Sequence, residues 1–119
     1  MESRHGLIKS FKFAFDGLKE GILKGRNFRI QIFLGVLAFG LAAFFKFSST
    51  EFAILTLTVS GVIILELMNT AVESIVDLVS PEIKEKARIA KDVSAAAVLI
   101  ASIASLVVGA LLFLPKLAI

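Results

Sequence analysis

ELMNTAVESIVD, residues Glu66 to Asp77, closes a long apolar run and turns it polar along one side. Glu66, Asn69, Glu73 and Asp77 stand at offsets that keep their side chains within roughly 80° of arc on a helix of about 3.6 residues per turn. If the apolar run enters a bilayer near Glu51, Glu66 lies roughly 22 Å down a hydrocarbon core of about 30 Å. Glu73 then comes at roughly 33 Å and Asp77 at roughly 39 Å. Glu66 is therefore expected inside the membrane, and the other two acids at its surface or just beyond. A central acid costs about 2.5 to 3.5 kcal/mol to insert, so it is kept for function or for a specific helix contact.

The rest of the chain agrees with a bilayer as its solvent. Of 119 residues, 57% are hydrophobic and 19% charged, against about 25% charged in ordinary soluble domains. Apolar runs cover Ile30 to Phe45, Phe52 to Val79 with Glu66 inside it, and Val93 to Leu114. The expected fold is an all-α membrane protein with one domain over residues 1–119. It has an N-terminal amphipathic surface helix (1–27) and three transmembrane helices, about 28–47, 51–79 and 92–114. No short apolar segment with a small-residue cleavage site precedes Lys24, so no cleaved signal peptide is expected.

The charges orient the spans. Arg4, Lys9, Lys12, Lys19, Lys24, Arg26 and Arg29 precede the first span, and Lys84, Lys86, Arg88 and Lys91 follow the second. Only Lys46 lies between spans one and two, and only Lys116 follows span three. By the positive-inside rule the N-terminus and the connection between spans two and three face the cytoplasm, and the C-terminus faces out.

Leu7, Ile8, Phe11, Ala14, Phe15, Leu18 and Ile22 fall at helical spacing, with Lys9, Lys12, Asp16, Lys19 and Glu20 opposite them. This amphipathic segment carries too many charges to span and suits a leaflet with anionic headgroups. The adjoining spans argue against a nucleic-acid partner. Gly25 interrupts the helix. Arg26, Asn27, Arg29 and Gln31 then read equally well as a snorkelling anchor or as groups facing a polar site shared with the stripe. Ser48, Ser49 and Thr50 form a short turn able to cap the next helix. The hydroxyls of Thr56, Thr58 and Ser60 are expected to bond their own helix backbone. Pro81 marks a helix end or restart, and PEIKEKARIAKD, residues 81–92, is expected as a polar loop. Its last two residues, Lys91 and Asp92, sit at the mouth of span three, where they can face the stripe. Span three is rich in Ala, Ser and Gly, from Ser94 to Ala110, which allows close helix packing.

The chain lacks GxxxxGK[ST], HExxH and GxSxG patterns, so phosphate-loop, zinc-protease and serine-hydrolase chemistry have no support. With no cysteine and His5 as the only histidine, a metal would be held by oxygen, which favours a hard cation such as Mg²⁺. Glu66 at a lipid–water boundary suits a general base. Glu73 with Asp77 suits a magnesium ion carrying phosphates, and Lys91 suits neutralisation of phosphate charge. From the residues alone, a proton relay or a small ion-coupled transporter built on Glu66 stands beside that reading.

ELMNTAVESIVD followed by AKDVSAAAVLI closely resembles the prokaryotic diacylglycerol kinase family of small integral-membrane lipid kinases, which includes undecaprenol kinases. The likeness covers nearly the whole chain. It implies ATP- and Mg²⁺-dependent phosphorylation of a membrane lipid alcohol, with Glu66 as catalytic base, Asn69 beside it and Glu73 binding the magnesium of Mg-ATP. Asp77, Lys91 and Asp92 match polar positions lining the nucleotide site, and Arg29 of the RNFRI segment is grouped with them. It further implies a homotrimer in a bacterial cytoplasmic membrane. Two positions depart from the pattern: Gly25 stands where a second metal-binding glutamate is common, and Gln31 where a histidine or glutamate is. Glu20 is the acid expected to help in place of the missing one. RNFRI and the FLPKL tail lean toward members acting on undecaprenol, with diacylglycerol as the other acceptor.

Overall fold

The computed structural model describes residues 4–80, 82 and 84–118, and four helices account for nearly all of them. They are α1 (Arg4–Lys24), α2 (Arg26–Phe44), α3 (Ser49–Val79) and α4 (Glu85–Leu117). Among the described residues there is no strand. The helices α2, α3 and α4 are each long and apolar enough to cross a membrane. The side chains of Arg4 and His5 and the expected helix break at Pro81 lie outside the described residues.

Each boundary has a local cause. Gly25 separates α1 from α2 in extended backbone, and its N–H donates to the Gly21 carbonyl at 2.8 Å. The α2–α3 turn closes in a Schellman arrangement, with Lys46 N–H bonded to the Ala43 carbonyl and Phe47 N–H to the Ala42 carbonyl. Lys46 sits at φ 57°, the left-handed position that glycine usually takes there. Ser48 then caps α3 as expected. Its hydroxyl accepts from Glu51 N–H at 3.1 Å, and Glu51 returns a carboxylate to Ser48 N–H at 2.8 Å. Thr56, Thr58 and Ser60 donate to the carbonyls of Phe52, Ile54 and Thr56, also as expected.

The segment 81–92 differs from its expected form. From Glu85 onward it is helix and continues into the apolar part of α4, so the connection shrinks to a few residues. Glu85, Arg88 and Asp92 explain the change: at i, i+3 and i+7 they share one side of the helix, where Arg88 bonds Glu85 at 2.6 Å and Asp92 at 2.9 Å. Charge mixing that reads as a solvated loop is here a charge-laced helical turn.

α3 and α4 pack as an antiparallel pair, α2 lies against α3, and α1 touches α2 and α3. The apolar core, Ala42, Phe47, Leu55 and Leu112 with partly buried Phe52 and Phe113, collects at the end where α2 turns into α3. Glu51 and Lys116 pair there at 3.1 Å, and the Lys116 ammonium lies 5.6 Å from the centre of the Phe47 ring. Gly35 allows α2 its approach to α3, because a Cβ there would lie 2.8 Å from Val59 Cγ1. The polar stripe occupies the opposite end of the same hairpin.

Candidate active site

Glu66 is the one buried charged residue among those described, 5% exposed, on the side of α3 that also buries Leu55 and Val62. One turn on, Asn69 accepts a hydrogen bond from Ser94 of α4 at 2.8 Å. Two turns beyond that, Asp77 and Lys91 form an ion pair at 2.5 Å. These contacts hold the stripe against the first turns of α4. Glu73 lies between them on the same face, exposed, and enters no ion pair among the described residues. Its charge is felt by Lys91.

Lys91 stands ahead of the apolar run of α4 that begins at Val93. Its hydrogen bond to Asp77, with help from the charges of Asp77 and Glu73, holds its ammonium above the usual lysine range. Next to it, a cleft of about 330 Å³ is lined by Asp77, Ser80, Glu82, Arg88, Lys91 and Asp92. Asp92 therefore borders the stripe, but its carboxylate is turned to Arg88 on its own helix.

The second group of expected residues goes elsewhere. Arg29 donates to the carbonyls of Ile22 and Leu23, at 2.7 and 3.2 Å, and so reaches back to the end of α1. Gln31 donates to Ser102 of α4 at 3.4 Å. Glu20 pairs with Lys24 at 3.1 Å and lines a groove against Leu67, Thr70 and Ala71. Among the described residues no three acidic or histidine side chains form a metal-holding group, so Glu20, Glu73 and Asp77 are not assembled into one. A magnesium ion here would draw on Glu73, whose exposed carboxylate enters no ion pair among the described residues, and take its remaining ligands from phosphates and water, as Mg²⁺ commonly does.

Ser94 and Arg88 join the site without being marked by the linear pattern. Ser94 reads as one more small packing residue, and its partner 25 positions away leaves no local signal. Arg88 was findable from its spacing to Glu85 and Asp92.

The profile of the prokaryotic diacylglycerol kinase family matches residues 12–113, which include the whole stripe, Lys91 and Asp92. The chain belongs to this family. A diacylglycerol kinase of Synechocystis sp. is 46% identical over 112 residues, 93% of this chain and 64% of that protein. The undecaprenol kinase of Bacillus subtilis is 36% identical over 110 residues, 92% of this chain and 89% of its own. The diacylglycerol kinase of Escherichia coli is 30% identical over 106 residues, 89% and 87% of the two chains. Members of the diacylglycerol kinase family are lipid kinases, and the all-helical fold with three membrane-length helices accords with membership.

Against the family pattern, the geometry gives Gly25 a reason of its own. A Cβ at this position would lie 2.8 Å from the Gly21 carbonyl oxygen and 3.0 Å from Phe28 Cβ. A glutamate cannot be placed there without moving the junction of α1 and α2. In this member of the diacylglycerol kinase family, Gly25→Glu is thus expected to disturb the helix junction itself.

Proposed function

We propose that the chain phosphorylates a membrane lipid alcohol, diacylglycerol or undecaprenol, with ATP as donor and Mg²⁺ as cofactor. The observation that carries this reading is the ordering along one helical stripe: a buried carboxylate at Glu66, then an exposed one at Glu73 that enters no ion pair among the described residues, then the Asp77–Lys91 pair beside an open cleft bordered by charged side chains. A lipid hydroxyl approaching within the bilayer meets Glu66, and a nucleotide approaching from the cytosol meets Glu73 and Lys91. Two relatives are named for these two lipids, which is why both are candidates.

In the reaction, Glu66 accepts the proton of the lipid hydroxyl. The hydroxyl oxygen bonds to the γ-phosphorus as the bond from that phosphorus to the β,γ-bridging oxygen breaks, giving lipid phosphate and ADP, and Glu66 returns its proton to water. Asn69, its carbonyl oxygen held by Ser94, has its amide NH₂ left to donate to a reacting oxygen. Lys91 neutralises phosphate charge. Magnesium, when bound, supplies further charge neutralisation on the phosphates, with Glu73 as its protein ligand and Asp77 and Asp92 bordering the nucleotide.

The charge bias supports an inner-membrane, multi-pass placement with the N-terminus in the cytoplasm, and the family likeness supports a homotrimer. The proposed spans, about 28–47, 51–79 and 92–114, correspond to α2 with the turn after it, to α3 and to the apolar part of α4. The test is phosphorylation by the purified chain in mixed micelles with ATP, Mg²⁺ and either lipid. Glu66→Gln is expected to lower kcat by about 10²- to 10⁴-fold. Comparable product from that variant overturns the base assignment, and no product from the parent chain with either lipid overturns the kinase reading.

A further inference from the structure

A helix leaves its last four carbonyls without backbone partners, and at the end of α1 these belong to Gly21, Ile22, Leu23 and Lys24. Gly25 N–H satisfies Gly21, and the Arg29 guanidinium satisfies Ile22 and Leu23 through one nitrogen. A fixed positive charge there also complements the negative end of the helix dipole. The same junction is packed tightly beneath. Phe28 is 1% exposed, and a Cβ on Gly21 would lie 3.0 Å from Leu67 Cδ2 and 3.3 Å from Phe28 Cε2. Leu67 adjoins Glu66 in sequence. The end of α1 is therefore seated directly on the α3 turn that carries the buried acid, and Arg29 ties that seat to α2.

We infer that Arg29 is a positioning residue, holding α1 across the Glu66 turn through the Ile22 and Leu23 carbonyls, and that it governs lipid access to Glu66 and does not bind nucleotide. This rests on the kinase reading for its kinetic consequence, but the clamp itself is a statement about α1. With Nη1 held on the Ile22 and Leu23 carbonyls, Arg29 is assigned to the α1–α2 junction and not to phosphate. Lysine at 29 keeps the charge but lacks the planar fork of guanidinium donors, so it is expected to restore the seat poorly.

Two measurements separate the possibilities. The chain has no cysteine, so single cysteines at exposed Lys12 of α1 and exposed Ile75 of α3 can carry spin labels, diluted with unlabelled chain. Arg29→Gln and Gly21→Ala are each expected to broaden the label-to-label distance distribution, with Arg29→Lys close to Arg29→Gln. In the activity arm, both variants are expected to lower kcat/KM for the lipid about tenfold or more, as small misplacements of a reacting group do. KM for MgATP is expected to stay within about twofold of the parent value. Unchanged distances in Arg29→Gln overturn the clamp whatever the enzyme's substrate. A raised KM for MgATP that Arg29→Lys restores overturns the exclusion of nucleotide binding. Failure of the parent chain to phosphorylate either lipid would fall on the kinase reading alone and leave the distance measurement to decide the clamp.

Discussion

Asp77 and Lys91 show how much of the site is set by single pairs. The pair raises the lysine's affinity for its proton. Any stability it contributes is fully present below the ordinary lysine value and is lost as pH climbs through the raised one. In Asp77→Asn the ammonium loses its main support, so the alkaline loss of MgATP affinity is expected to move to lower pH. KM for MgATP measured across the alkaline range in both proteins checks this, and superimposable profiles would count against Lys91 as a phosphate contact. The stripe itself was legible because helical periodicity places Glu66, Asn69, Glu73 and Asp77 on one face whatever the fold. Partners across helices were less so. Lys91 was within reach of the stripe by its level in the membrane, but Ser94 and the redirected guanidinium of Arg29 depend on side-chain direction, which a linear pattern does not contain.

Helices α1 to α4 were legible in number and order, because long apolar runs in a bilayer admit few alternatives to helix. What the pattern misplaced was the start of α4, where ion pairs three and four residues apart turn an apparent loop into two helical turns. The start of α3 is more strongly specified. Ser48→Ala removes the hydroxyl half of a reciprocal cap and is expected to cost about 1 kcal/mol. It should lower the thermal midpoint in detergent while leaving activity per folded molecule unchanged, since the cap lies at the far end of α3 from Asp77. A loss of activity with an unaltered midpoint would show that this end of α3 takes part in turnover.

At the scale of the molecule, helix length exceeds membrane thickness. α3 has 31 residues and α4 has 33, or roughly 46 and 50 Å at 1.5 Å per residue, against about 30 Å of hydrocarbon. On the proposed placement, with Glu66 inside the bilayer, the surplus is the hairpin end that bears Glu73, Asp77, Lys91 and Asp92. Its tip carries exposed Lys84 and Lys86. Trypsin is expected to cut the chain after Lys84 in inverted membrane vesicles and not in intact spheroplasts, both halves staying in the membrane, and the reverse pattern would invert the proposed orientation. The same hairpin is fastened at both ends, by Glu51 with Lys116 at one and by Asn69 with Ser94 and Asp77 with Lys91 at the other. Sliding one helix past the other by a single turn of about 5.4 Å would break all three contacts together. α3 and α4 therefore form a register-locked strut, like two rails bolted at each end, and the shorter helices α1 and α2 lean on it through α3.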